Sequence, residues 1–404
     1  FALEFLPNVK AFTSNIPIVK QMKIAPVPQG QVAVFFPAEK ETSGLRFNLH
    51  APFIPELSRA SIKDTPANEP LFGQLADLCA ASLHDIKELG LLKRDFLAVL
   101  PNGQDTLGRR YVQIREAIVE AFNEEPLMPT FGKGHAPAKH LYQAKVSLKE
   151  LLSAEDIEFL IEHDDVPPQW SANRELQGTN TERFMSGLAI QDWDVADFLE
   201  VVAEKAKEKW GGPDEDFIAW LSQKPVEWVQ RMYAMLAREP ETEDELYQLS
   251  DARIIRLTDG TFSTGNKCYF PDEKLRYVDI VPCVDGEILE TGSSKPRKKA
   301  SRKFLEELGV QEIGERQLIQ ALLEKEYKTA DRTLKETAYL EHLRRFLKLV
   351  NDEPSATNMF TKYNLFLGAD GKWHPANHIY LDRPYADTGI SDYYEIVNRP
   401  KDFA

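Results

Sequence analysis

Ser58-Arg59 is the residue pair best suited to chemistry in this chain. It follows the alternating run Leu45 to His50 and the turn residues Ala51-Pro52-Phe53. An arginine on a loop at a strand end can reach a neighbouring site, and its planar fork matches phosphate oxygens. Arg59 is therefore a candidate to stabilise charge on a transferring phosphoryl group, with Ser58 as its neighbour. The alternative is a surface arginine paired with Glu56 or Asp64 and worth little. The one basic cluster is Lys295, Arg297, Lys298, Lys299, Arg302 and Lys303, and it follows the loop residues Gly292-Ser293-Ser294. It is a candidate phosphate or nucleic-acid patch, weighed against a solvated face at a helix start. Positive charge there opposes the helix dipole, and no aromatic residue is interleaved for base stacking.

Other reactive residue types lead less far. Asp387-Thr388-Gly389 has the tripeptide of aspartic proteases, which need two aspartates on buried apolar loops. Its flank Arg383-Pro384-Tyr385-Ala386 is not apolar and the tripeptide does not recur, so a surface turn is the reading. His135 and His140 are five apart, and His374 and His378 four apart. Pro375 argues against a helix under the second pair, and no glutamate completes a metalloprotease pattern. Cys79, Cys268 and Cys283 lack metal-ligand spacing and fit buried thiols in a reducing, cytoplasmic compartment. A Walker loop and a dinucleotide fingerprint do not occur.

The elements that must position these residues come from a chain of 404 residues, enough for two to four domains. The net charge of −15 repels phosphate backbones, so nucleic acid is not the default partner. No apolar run is long enough to span a bilayer. The chain opens on Phe1 without methionine, and upstream sequence is expected. Gln31 to Phe36 and Leu45 to His50 read as two strands, joined through Thr42-Ser43-Gly44 as a hairpin. Asn68 to Leu89 reads as a helix with Leu71, Leu75, Leu78, Cys79 and Ile86 on one face. Asn68 is its expected cap, Pro70 lies in its first turn and Gly90 stops it. Phe96 to Leu100 reads as a strand and Tyr111 to Phe122 as a helix. Strands and helices then alternate over residues 1–125, an α/β unit.

Beyond residue 125 long helices are broken by short hairpins, and these repeat. Asp259-Gly260-Thr261-Phe262, Asn266 and Tyr269 match Asp370-Gly371-Lys372-Trp373, Asn377 and Tyr380, all 111 positions on. Asp-Gly supplies a tight turn. A weaker third copy is Pro137-Ala138-Lys139-His140-Leu141-Tyr142, set against Pro375 to Tyr380. Phe184-Met185 aligns with Phe304-Leu305, and a helix is expected to begin near each pair. Trp228, Val229, Met232, Met235 and Leu236 align with Tyr339, Leu340, Leu343, Phe346 and Leu347. This pattern predicts an internal duplication. The expected fold is α+β: a first domain over 1–125, hairpin-plus-helices modules over 126–250 and 251–362, and a third hairpin over 363–404.

The stretch Gly30-Gln31-Val32-Ala33-Val34-Phe35-Phe36-Pro37, then Thr42-Ser43-Gly44-Leu45, then Asn48-Leu49-His50-Ala51-Pro52-Phe53 and Ser58-Arg59, resembles sacsin and bacterial sacsin-like proteins. These belong to the ATPase superfamily of gyrase, heat-shock chaperones, histidine kinases and MutL. The resemblance implies that residues 1–125 are a transducer-like domain following an ATP-binding domain. It places Arg59 near the γ-phosphate. The Asp-Gly hairpins ending in tyrosine look like downstream sacsin-like repeats. ATP and Mg would serve the whole protein, with no cofactor held by this part alone. The superfamily's Asp-x-Gly-x-Gly loop is missing, since Asp387-Thr388-Gly389-Ile390-Ser391 lacks the last glycine. The expected partners are the upstream ATP-binding domain, a protein client and further copies in a homo-oligomer. Two other readings stand beside this: a protein-interaction scaffold with no nucleotide link, and a nucleic-acid-associated subunit using Lys295 to Lys303.

Overall fold

The computed structural model describes residues 2–207, 212–238, 247–271, 281–330, 334–368, 371–383 and 386–397. The chain is α+β, with helices dominant and strands short. It divides into two units, residues 1–198 and 199–404.

In the first unit β1 (Ala2–Phe5) pairs antiparallel with β2 (Met22–Ala25). β3 (Val32–Ala33) pairs with β4 (Leu49–His50) in parallel, which corrects the predicted hairpin of Gln31–Phe36 with Leu45–His50. The cause lies at Phe35, whose φ is 58°. The Phe36 N–H donates to the Val34 carbonyl at 3.0 Å, closing a γ-turn that reverses the chain and bridges Ala33 to Pro37. Such a turn is strained for a bulky L-residue.

α1 (Glu69–Glu88) buries Phe72, Leu75, Ala76, Leu83 and Ile86. Leu78, placed on that face from the sequence, is exposed. Pro70 lies in the first turn, and the N–H groups of Gly90 and Leu91 close the end on the Lys87 and Ile86 carbonyls. Phe96–Leu100 is not a strand: Arg94–Val99 forms a 3-10 helix with Phe96, Leu97 and Val99 buried. A short apolar run has no period to tell strand from helix, and i→i+3 bonds satisfy its backbone locally. α2 (Val112–Glu124) packs on α1.

The chain continues through a hairpin of β5 (Met128–Pro129) and β6 (His135–Ala136) into β7 (Leu141–Gln143). α3 (Val146–Leu151), α4 (Ala154–Leu160), β8 (Gln169–Trp170), α5 (Asn180–Met185) and β9 (Gln191–Asp192) follow. β7 lies between β8 and β9, parallel to both. One hydrophobic core runs from Ile24 through Phe72 and Phe122 to Phe184 and Leu188. α6 (Val195–Ala206) carries the chain across the limit between the units.

The second unit contains α7 (Glu215–Ser222) and α8 (Val226–Leu236). A hairpin of β10 (Ile255–Arg256) and β11 (Phe262–Ser263) leads to β12 (Tyr269–Phe270). α9 (Glu287–Glu290) and α10 (Lys295–Glu307) precede β13 (Gln311–Glu312), which pairs with β12 in parallel. α11 (Glu315–Glu326), α12 (Glu336–Asp352), a hairpin of β14 (Phe366–Leu367) and β15 (Trp373–His374), and α13 (Ile390–Ile396) complete it.

The hairpins at Asp259-Gly260 and before Gly371 form as expected, with φ of 82° at Gly260 and 79° at Gly371. Asp370 lies outside the described residues, as do Pro384 and Tyr385. The likeness goes deeper than the turns. After each hairpin the same bond recurs: His140 N–H to Pro137, Lys267 N–H to Thr264 and His378 N–H to Pro375, at 3.1, 3.1 and 2.9 Å. Tyr142 pairs with Gln191 as Tyr269 pairs with Gln311. The aligned Phe184-Met185 and Phe304-Leu305 pairs are buried, but they lie at the ends of α5 and α10 and not at helix starts. A pair placed late in its helix points into the turn that follows, where Leu188 and Leu308 are also buried.

Candidate functional site

Arg59 stands at the tip of a clamped hairpin. Pro55 bridges Ile62, and the Glu56 N–H donates to the Ser61 carbonyl at 2.9 Å. The Arg59 N–H returns to the Glu56 carbonyl at 2.8 Å with φ of 62°, left-handed backbone that is unusual for arginine. Ser58 is exposed, and its Oγ accepts from the Ala60 N–H at 3.4 Å. The base of the hairpin is held at three points. The Lys40 N–H donates to the Ala60 carbonyl at 2.7 Å. The Ile62 N–H donates to a Glu41 carboxylate that also accepts from the Tyr111 hydroxyl at 2.8 Å.

The third point is Asn68, nearly fully buried. The sequence assigns it as the cap of α1, and the structure corrects this. Its backbone is helical, and its side chain bonds the Ile54 N–H, the Ile54 carbonyl and the Lys63 carbonyl at 2.8–2.9 Å. The chain entering α1 at Pro66-Ala67 turns the amide toward the hairpin stem, so the stem takes the bonds that a helix end would have received. Asn68→Ala strands these backbone groups, each costly to bury unpaired. The expected loss is about 2 kcal/mol, read by urea unfolding, and Asn68→Asp loses at least as much, because it keeps the acceptor but sets a carboxylate oxygen against the Ile54 and Lys63 carbonyls.

The guanidinium lies over an aromatic ring. Its carbon lies 5.4 Å from the centroid of the Phe36 ring. Phe35, on the strained γ-turn, is 85% exposed, and Leu57 is fully exposed. Among the described residues no carboxylate forms an ion pair with Arg59; of the two partners expected, Glu56 and Asp64, the second pairs with Arg110 at 2.9 Å. An unpaired guanidinium backed by an aromatic face keeps its donor fork for an acceptor from outside.

The basic cluster is arranged differently. It begins α10 itself, with the Ser294 hydroxyl capping the Arg297 N–H. Arg297 pairs with Glu227 at 3.4 Å, Lys303 with Glu307 at 3.0 Å, and Arg302 with Glu306 and Glu312 while lying over Phe270. Lys298 bonds the Glu290 carbonyl. Lys295 and Lys299 are exposed. Asp387 forms an exposed turn paired with Arg383 at 2.8 Å, and the Thr388 N–H binds Asp382. Three hydrogen bonds from Ser391 and Thr388 hold the Asp382 carboxyl far below the usual carboxylate range. That makes this segment a cap for α13, without a protease's apolar loops. Among the described residues no group of three or more His, Cys, Asp and Glu could hold a metal ion. The cysteines are free, and burial pushes Cys79 up to about 11 and Cys268 up to about 12, so these thiols stay protonated.

Sequence reasoning passed over Lys149. It sits on α3 at 3% exposure, its ammonium donating to Gln143 Oε1 at 3.0 Å, the Ser171 carbonyl at 2.8 Å and Asn173 Oδ1 at 3.5 Å. Desolvation, with Arg174 nearby, pushes it down to about 8. The signal was present, because Lys149 interrupts the apolar set Leu148, Leu151 and Leu152. Comparison with protein-family models, with curated proteins and with solved structures finds no match to this chain. No helix among the described residues is long and apolar enough to cross a membrane.

Proposed function

We propose that this chain is the coupling portion of a sacsin-like ATPase, in which Arg59 reaches the terminal phosphate of ATP held by a separate nucleotide-binding domain. The observation that carries the reading is a guanidinium without a carboxylate partner, exposed at the tip of a hairpin clamped by Asn68 and Glu41. Rigid support matters because a positioned charge helps only if it is already in place when charge develops. The exposed Leu57 on the same hairpin offers apolar contact to the domain that brings the phosphate. Of the three left-handed non-glycine residues among the described ones, Phe35 precedes Phe36 in the chain and Arg59 lies over its ring. Strained backbone of this kind persists where the surroundings over-determine it, commonly at working sites. ATP with Mg supplies the phosphoryl chemistry when bound; this chain contributes the guanidinium and its support. The hairpin modules then carry the motion or bind a protein client, in the cytoplasm and as a homo-oligomer.

The test is ATP turnover by the full polypeptide. Arg59→Ala lowers turnover about a hundredfold and leaves nucleotide affinity within about twofold, the mark of a contact made in the transition state. Arg59→Lys recovers only part, because a point charge lacks the fork. Unchanged turnover in Arg59→Ala rejects the contact, and absence of any turnover by the full polypeptide leaves the scaffold reading.

A further inference from the structure

The hairpins are each followed by a strand that receives a partner, and the partner is of one kind. In the first module β9 lies along β7, with Tyr142 opposite Gln191 and Gln143 opposite Asp192. In the second, β13 lies along β12 in the same direction and register, with Tyr269 opposite Gln311 and Phe270 opposite Glu312. The segments that bring these strands match over nine residues. Phe184-Met185-Ser186-Gly187-Leu188-Ala189-Ile190-Gln191-Asp192 aligns with Phe304-Leu305-Glu306-Glu307-Leu308-Gly309-Val310-Gln311-Glu312, a helix end, a turn and a strand. Each segment also covers the turn that precedes the tyrosine. Ala138 is completely buried in a core shared with Phe184, Met185 and Leu188. A Cβ at Gly265 would sit 1.9 Å from the Leu308 carbonyl oxygen, and Arg302 of α10 lies over the Phe270 ring.

The third hairpin leads into the same turn, closed by the His378 N–H on the Pro375 carbonyl, yet the matching positions are open. Ala376 stands where Ala138 and Gly265 are buried, and it is exposed. Leu381 stands where Gln143 and Phe270 are buried, and it is 47% exposed. Both segments of the covering kind are already engaged, and no glutamine follows Gln320 in the chain. We propose that Ala376 and Leu381 mark an edge that docks a parallel strand of the Ile/Val-Gln-Asp/Glu kind, carried by a hairpin module other than these, with a Phe-x-x-x-Leu turn ahead of it seated on Ala376. Room for such a strand does not require the other edge to be open, since β7 takes β8 on one side and β9 on the other. Main-chain bonds supply the affinity of an added strand, and the side chains beside it supply the choice. Ala376 makes that choice, because it matches Ala138 and not the glycine that the Leu308 carbonyl needs.

The probe is therefore a fluorescein-labelled peptide with the sequence of residues 182–194, titrated with the whole chain. A second peptide carries Gln191→Pro and binds at least about tenfold more weakly, since proline has no N–H for the ladder. Ala376→Arg combined with Leu381→Glu in the chain abolishes binding of the first peptide. The thermal transition stays in place, because both side chains already meet solvent. Failure of the first peptide to bind overturns the proposal, as does equal binding of the two peptides. Binding indifferent to the changes at Ala376 and Leu381 overturns it too, by showing that the peptide exchanges with β9. A dimer in sedimentation that the same changes dissociate gives the edge to a second copy of the chain and likewise overturns it.

Discussion

Gly30→Ala melts the first unit about 10 °C below the wild type, a loss of about 4 kcal/mol. Gly30 lies where two backbones nearly touch. A Cβ added there would sit 2.1 Å from the Phe47 carbonyl oxygen and 2.7 Å from that of Leu45. Neither oxygen belongs to a side chain that can swing aside. The facing strand is also held from behind, since Arg46 pairs with Asp105 and donates to the Leu100 carbonyl at 2.9 Å. The Gly30 N–H itself donates to the Leu45 carbonyl at 2.8 Å. Separating the strands breaks that bond and draws Val32, completely buried, away from its core. Gly103→Ala is the matched control, because a Cβ there meets nothing within 4 Å. It should be neutral or slightly stabilising through its effect on the unfolded chain. Equal melting of the two variants would show that the strands yield, and the close approach would then carry no cost.

The same region shows how far the sequence reading reached. α1 and α2 were legible because their apolar residues recur with helical period and Pro70 and Gly90 bracket the first of them. The Asp-Gly hairpins were legible because a tight turn leaves a local chemical mark. The γ-turn at Phe35 left none: the five apolar residues Val32 to Phe36 look like a strand whichever way the chain bends. Strand direction depends on that bend, so the parallel pairing of β3 with β4 was hidden with it. Asn68 was misread for a related reason. Asparagine before an apolar helix is the usual mark of a cap, and only the long-range position of Ile54 and Lys63 gives its amide better partners. Arg59 was singled out by its place in the sacsin-like stretch, and that Asp64 pairs with Arg110 instead is a fact of three dimensions. The spacing of the hairpins was visible; that Leu340 and Leu347 of α12 stay exposed was not.

Lys149→Ala is expected to destabilise the first unit by about 4 kcal/mol, and Lys149→Met by about half as much. The alanine variant loses a buried four-carbon stem and leaves the Ser171 carbonyl without its donor. Methionine restores most of the stem and none of the hydrogen bonds, so the difference between the two isolates packing. The ammonium's own balance shows in the pH dependence. Lys149 is pushed from 10.5 down to about 8 by desolvation, so the native state gives up this proton before the unfolded state does. Between those two values the unfolded chain holds more protons, and stability rises with pH wherever that is so. The burial cost is therefore fully present below pH 8 and fades toward 10.5. Other groups titrate at alkaline pH, burial having pushed Tyr111 and Tyr233 upward, so the measurement is the gap between wild type and Lys149→Met. That gap should be flat between about pH 6 and 7 and widen in favour of the wild type above pH 8. A gap that narrows instead would mean that three neutral oxygens stabilise the ammonium by more than burial costs it. Lys149 would then be an ordinary charged clamp on β7 and β8, and its depressed affinity for a proton would be wrong.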